Sequence, residues 1–131
     1  MSEENTEIVR RHLESFEGDV ETWLETFDPA VRVYPLEERH ALVLGRQAVL
    51  RARERWLETW DRESYDWKIE ELKGRGGDVV SVTHITSQGR SSGAEVDARV
   101  WAHWKLRDGK IVYCYEYATR AEALEAAGLR E

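Results

Sequence analysis

The sequence predicts an α+β domain in which helices pack against one face of a strongly curved antiparallel sheet. Up to Asp61, apolar residues recur at a spacing of about 3.6, whereas from Tyr65 onward they alternate with polar residues. Four of the five predicted strands therefore follow one another along the chain, which favours an antiparallel sheet. At this length a single domain over residues 1–131 is expected.

Three helices and one strand occupy the first half of the chain. The first helix begins at Ser2, a residue type that caps helices. The second follows Asp19, another capping residue, and ends at Pro29. A short strand over 31–35 then leads to a third helix, which opens at Gly45.

Four strands follow, separated by turns rich in glycine. They cover about 65–69, 79–87, 96–106 and 111–118. Thr119 and Glu122 form a capping box for a short last helix, which stops at Gly128. Three helices across the concave face of such a sheet would leave a conical cavity.

Charge and cysteine content exclude several classes of function. The chain has 26 acidic and 19 basic residues, a net charge of −7, and no basic stripe interleaved with aromatics, so nucleic acid is not an expected partner. The single Cys114 excludes an internal disulfide and a cysteine-based zinc site. Because the four histidines lack metal-ligand spacing and no nucleotide-binding motif is present, neither a metal nor a cofactor is expected. Residues 1–7 do not resemble a signal peptide and no apolar run would span a bilayer, so a cytoplasmic protein without membrane contact is expected.

Six segments resemble the SnoaL-like branch of the NTF2-like superfamily, in the order that the family has them. They are residues 7–11, 18–20, 28–29, 45–49, 106–111 and 120–129. The resemblance implies an NTF2-like cone, a curved antiparallel sheet wrapped around three N-terminal helices, with a short C-terminal helix. It also implies a pocket for a small apolar molecule. The superfamily includes polyketide cyclases, ketosteroid isomerases and dehydratases, and the fold does not decide among them.

One catalytic pattern of the superfamily is missing. Ketosteroid-isomerase-like proteins place an aspartate before the proline that follows the first strand, where this chain has Tyr34 before Pro35. They place an acid on the fourth strand, where the inward positions here are Ala102 and Trp104, and a tyrosine on the first helix, where this chain has none. Ketosteroid isomerisation by that mechanism is therefore not expected.

Glu116 is the main candidate for catalysis, and its orientation depends on the hairpin turn at 108–109. A two-residue turn would pair Trp104 with Tyr113 and point Glu116 away from the pocket. A three-residue loop with a bulge at Gly109 would shift the register by one and turn Glu116 inward, together with Cys114. The family comparison favours the second register. Glu116 would then be a general acid or base, and the alternative is a structural glutamate bonded to a buried donor.

His84 and Tyr34 complete the catalytic candidates. His84 lies in phase with Val80 and Val82, the more apolar side of its strand, and would relay a proton or orient a ligand oxygen. Tyr34 would donate a hydrogen bond to a ligand carbonyl, as tyrosines at oxyanion sites do. The alternatives are a core histidine satisfied by one neighbour and a strand-end tyrosine with its hydroxyl in water.

The six tryptophans are many for a chain with this much charge. Five of them lie on the predicted inward faces of their elements and are candidates for ligand binding: Trp23, Trp56, Trp60, Trp67 and Trp104. Two or three are expected to line the pocket and the others to pack in the core, because burying all five would leave indole N–H groups in need of partners.

Outward-facing aromatic residues predict a homodimer. With Glu116 turned inward, three tyrosines of the last strand point outward beside Trp101 and His103, and a patch of this size favours burial against a second copy. Dimerisation through the sheet is also what the resemblance implies.

Three functions remain open at the level of sequence. The first is cofactor-free proton transfer, such as cyclisation, isomerisation or dehydration, on a hydrophobic or polyketide-like molecule. The second is non-catalytic binding of a small apolar ligand. The third is an interaction domain whose pocket is filled by tryptophans.

Overall fold

A computed structural model describes residues 2–36 and 39–129, apart from the side chain of Ser2. Its helices are α1 (Ser2–Glu14), α2 (Val20–Glu25), α3 (Arg46–Thr59) and α4 (Arg120–Ala127). Its strands are β1 (Phe27–Tyr34), β2 (Val43–Leu44), β3 (Asp66–Arg75), β4 (Asp78–Gln88), β5 (Glu95–Arg107) and β6 (Lys110–Tyr117). The α+β prediction is confirmed, and the short strand β2 is an addition to it.

The six strands form one sheet in the order β2-β1-β6-β5-β4-β3. Neighbouring strands are antiparallel, except that β1 runs parallel to β6. The meander from β3 to β6 matches the predicted run of hairpins. The parallel pair is possible because most of the chain separates β1 from β6, and parallel neighbours need a long connection.

The predicted signals at the ends of α2 and α4 are present in the structure. Asp19 accepts a hydrogen bond from the backbone N–H of Thr22 at 3.2 Å, and Thr119 accepts one from Glu122 at 3.3 Å. Gly128 ends α4 in the left-handed conformation, with φ of 71°. The cap predicted at Ser2 depends on a side chain outside the described part.

Helices cover both faces of the sheet. On the concave face, α1, α2 and α3 pack over a core that includes Val9, Val31 and Ile111. On the outer face, α4 packs Leu124 and neighbouring apolar residues against Val80 of β4. Strand β4 is therefore buried on both sides at its beginning. Among the described residues, no helix is both long enough and apolar enough to cross a membrane.

The β5–β6 hairpin has the register that turns Glu116 inward, but the predicted position of its bulge is wrong. Asp108 and Gly109 form a two-residue turn with φ of 52° and 77°, which is the type I′ geometry that Asp-Gly favours. Beyond the turn the pairing shifts by one residue at Val112, so Trp104 pairs with Cys114 and not with Tyr113. The extra residue lies in the strand because the tight turn has no room for it.

Candidate functional site

A cavity of about 190 Å³, open on one side, lies between the concave face of the sheet and helices α1 and α3. Most of its wall is apolar, with side chains from α1, α2, α3 and all six strands or their ends. The polar side chains in the wall are Arg53, Tyr65, Thr83 and Glu116. This composition is typical of small-molecule sites, in which a few polar groups orient a mostly apolar ligand.

Three of the five candidate tryptophans line this pocket: Trp23 from α2, Trp56 from α3 and Trp67 from β3. The indole N–H of Trp56 donates to the Tyr65 hydroxyl at 3.1 Å. The indole N–H of Trp67 donates to the Glu17 carboxylate at 3.0 Å. These bonds fix two of the rings and satisfy their polar edges.

The other two tryptophans do not line the pocket. Trp104 is 6% exposed, and its indole N–H donates to the Ser81 hydroxyl at 2.8 Å within the core. Trp60 packs edge-on against Trp56, with the two ring centroids 5.2 Å apart. It ends α3 in an extended conformation, so its side chain leaves the helical stripe that predicted it to face inward.

Glu116 lies on β6 with its side chain in the pocket wall. Its Oε1 accepts a hydrogen bond from the backbone N–H of Leu36 at 2.9 Å. Its backbone oxygen lies 2.7 Å from Nε2 of His40. The first contact orients the carboxylate from outside the strand, and the second holds His40 against the backbone of β6.

Tyr65 is a pocket residue that the sequence analysis did not single out. Burial raises the pKa of its hydroxyl to about 12, with smaller contributions from the charges of Glu17 and Glu116. Its hydroxyl oxygen accepts a hydrogen bond from the indole N–H of Trp56, so its O–H can donate a hydrogen bond to an oxygen atom of a ligand. The signal was present, because Tyr65 alternates in phase with Trp67 and so belongs on the same face of the strand.

Two predicted catalytic residues lie outside the pocket. His84 is on the outer face of the sheet, where its Nε2 lies 2.5 Å from Oδ1 of Asp97. The prediction of an inward His84 is wrong because α4 covers part of the outer face, so apolar residues occur on both sides of β4 and do not identify the inner one. Its neighbours Thr83 and Ile85 line the pocket instead.

Tyr34 also lies on the outer face. Its ring centroid is 5.7 Å from that of Tyr113 and 5.4 Å from that of Tyr115. The residues on either side of it, Val33 and Pro35, contribute to the pocket wall. Because side chains alternate along a strand, Tyr34 cannot reach a ligand in the pocket from this position.

His12 supports the pocket wall from the core. Its ring stacks on Trp23 with centroids 5.2 Å apart, and its Nδ1 lies 2.6 Å from the Thr26 hydroxyl. Burial lowers the pKa of His12 from 6.5 to about 3, so the ring is neutral at physiological pH. A neutral, hydrogen-bonded imidazole holds Trp23 in place without adding charge beside the pocket.

Comparisons with known proteins agree with the fold. The family model of the SnoaL-like domain matches residues 9–114, and no curated protein matches the chain. A protein from Jannaschia sp. CCS1, provisionally named a SnoaL-like polyketide cyclase, superposes with a TM-score of 0.78 at 21% identity, over 97% of this chain and 92% of its own. Bal32a, from a soil-derived mobile gene cassette, superposes with a TM-score of 0.79 at 19% identity, over 96% of this chain and 97% of its own. TerC, co-crystallised with polyporic acid, superposes with a TM-score of 0.75 at 17% identity, over 95% of this chain and 98% of its own. At such identities the likeness shows the fold alone.

Proposed function

Because the chain belongs to the SnoaL-like domain family, we propose that its pocket binds a small apolar molecule and transfers a proton on it without a cofactor. The observation that carries this proposal is the pairing of a carboxylate, Glu116, with a protonated hydroxyl, Tyr65, in the wall of an otherwise apolar cavity. A base and a hydrogen-bond donor are the two groups that enolisation of a ketone requires.

The chemistry assigns one step to each group. The Glu116 carboxylate takes a proton from the carbon next to a ligand carbonyl, so the C–H bond breaks and its electron pair forms an enolate. The Tyr65 O–H donates to the oxygen that becomes negative. Return of the proton from Glu116 to a different carbon gives isomerisation. Attack of the enolate on a second carbonyl forms a C–C bond and an alkoxide, which takes the proton back from Glu116, and the product is cyclised.

The aromatic wall supports the same proposal. Trp23, Trp56 and Trp67 offer flat apolar surface to a ring-containing ligand. A ligand that packs on these rings would displace water from the carboxylate. The co-crystal of TerC with polyporic acid supports an organic acid as one kind of ligand for this fold.

Deuterium exchange tests the proposed reaction. With 2-tetralone in D2O as a model ketone, the protein should catalyse exchange at the carbons beside the carbonyl, followed by NMR. Tyr65→Phe should slow this exchange about 100-fold, because it removes one donor to the developing oxyanion. Tyr113→Phe makes the same chemical change on the outer face and should leave the rate unaltered. An equal rate in Tyr65→Phe and the unmodified protein would contradict the role given to Tyr65.

Non-catalytic binding is the second candidate function. The hydrogen bond from the Leu36 N–H to Glu116 favours it, because a carboxylate that anchors a loop need not take part in chemistry. Binding of 2-tetralone, measured by tryptophan fluorescence, without any catalysed exchange would support this candidate over proton transfer.

We also propose that the outer face of the sheet forms a homodimer interface. Half-buried rings gather there around Tyr34, Tyr113 and Tyr115, and His40 stacks on Tyr115 with centroids 4.3 Å apart. Helix α4 covers part of this face and contacts Trp101, so the patch is smaller than the five-ring patch that the sequence predicts.

A further inference from the structure

Three arginines gather beside the pocket. Arg53 lines the pocket itself and also a second, more open depression of about 230 Å³. Arg62 and Arg90 line this depression, together with side chains of α3 that include Glu54 and Glu58. The depression therefore adjoins the apolar pocket at Arg53.

Backbone hydrogen bonds place Arg62 and Arg90 close to each other. The N–H of Asp61 donates to the carbonyl of Gln88 at 2.9 Å, and the N–H of Arg90 donates to the carbonyl of Thr59 at 2.9 Å. These bonds join the end of α3 to the turn after β4. The arginines thus come from two segments that the fold brings together, and their proximity is not visible from their spacing in the sequence.

Among the described residues, no Asp or Glu oxygen forms an ion pair within 4.0 Å with the guanidinium group of Arg53, Arg62 or Arg90. The Arg53 guanidinium donates instead to two backbone carbonyls, those of Phe16 at 2.7 Å and Glu17 at 3.3 Å.

The arginines also act on one another. Burial lowers the pKa of Arg53, and the charge of Arg62 lowers it further, an effect larger than the opposing effect of either Glu54 or Glu17 alone. Mutual repulsion of this kind is relieved when an anion binds between the cations. A cluster of unpaired arginines is notable in a chain whose net charge is −7.

We propose that this arginine cluster binds an anionic group of the ligand whose apolar part occupies the pocket. The inference rests on the proposed function and narrows its substrate class to apolar molecules that carry a carboxylate or a phosphate. Guanidinium groups suit both, because their planar N–H donors match pairs of anionic oxygens.

A matched pair of fluorescent probes tests the proposal on the full chain. The probes are N-phenyl-1-naphthylamine and 1-anilinonaphthalene-8-sulfonate, which share one apolar body and differ by a sulfonate. In the double variant Arg62→Gln/Arg90→Gln, the dissociation constant of the sulfonate probe should rise about tenfold. That of the neutral probe should change less than twofold. Raising the salt concentration should weaken binding of the sulfonate probe alone.

The control is the double variant Arg51→Gln/Arg107→Gln, which removes two exposed arginines elsewhere and changes the net charge equally. It should bind both probes as the unmodified protein does. Competition of the sulfonate probe by 1-naphthoate or by 1-naphthyl phosphate identifies which anion the cluster prefers.

Two results would overturn the anion site. One is unchanged binding of the sulfonate probe in Arg62→Gln/Arg90→Gln, and the other is equal weakening of both probes. Failure of the neutral probe to bind the unmodified protein would contradict the proposed function itself, so the two failures are distinguishable.

Discussion

At the scale of single residues, His12 couples stability to pH. Its pKa is about 3 in the folded protein and 6.5 in the unfolded chain, so the unfolded chain binds one proton more between these values. The free energy of unfolding should therefore be highest above pH 6.5 and fall as the pH decreases toward 3. At pH 5 protonation of His12 in the unfolded chain should lower the free energy of unfolding by about 2 kcal/mol relative to pH 7.

Urea unfolding at pH 7 and pH 5 measures this loss. His12→Asn keeps a side-chain group able to bond to Thr26 but does not titrate, so its unfolding free energy should lack this part of the pH dependence. The variant will be less stable at pH 7 because it leaves a void beside Trp23. The same decrease between pH 7 and pH 5 in His12→Asn and in the unmodified protein would contradict the assignment.

The orientation of individual site residues was predictable only where one face of a strand is buried. The alternation in β3 is clear and correctly placed Trp67 inward, and it would have identified Tyr65 by the same argument. In β4 both faces are buried at its beginning, so the alternation of residues did not indicate on which face of the sheet His84 lies. The proximity of Arg62 and Arg90 depends on hydrogen bonds between distant segments, which no local pattern encodes.

At the scale of elements, the β5–β6 hairpin determines which residues of β6 face the pocket. Gly109 has φ of 77°, and no heavy atom lies within 4 Å of the position that an added Cβ would take. Gly109→Ala should therefore destabilise the protein by about 1–2 kcal/mol, through backbone strain alone. Gly18 has equal space without positive φ, so Gly18→Ala should be neutral or stabilise by up to about 1 kcal/mol. Urea midpoints of the two variants check this, and equal midpoints would contradict it.

Element boundaries were predictable where a capping side chain or a glycine with positive φ makes the boundary. Asp19 and Thr119 cap α2 and α4 through their side chains as their sequence patterns predict, and Gly128 ends α4 in the left-handed conformation. The early start of β1 was not predictable, because Pro29 is tolerated where the pairing of β1 with β6 is irregular. The position of the bulge at Val112 was also not predictable, since a bulge in the turn and one in the strand give the same register.

At the scale of the whole molecule, we expect a homodimer because of the aromatic patch on the outer face of the sheet. Light scattering at micromolar concentration should give twice the 15.3 kDa of one chain. Tyr115→Glu places a charge within the aromatic patch and should shift the mass toward that of one chain. A mass of 15.3 kDa for the unmodified protein would refute the dimer.

The most direct test of the central claim is the exchange of 2-tetralone protons by Glu116→Gln, because glutamine keeps the shape of the side chain and cannot accept the proton. The exchange rate should fall at least 100-fold while the dissociation constant of the ketone, measured by tryptophan fluorescence, stays within a few-fold of its original value. Exchange at an undiminished rate in this variant would contradict the account, because the base would then lie elsewhere.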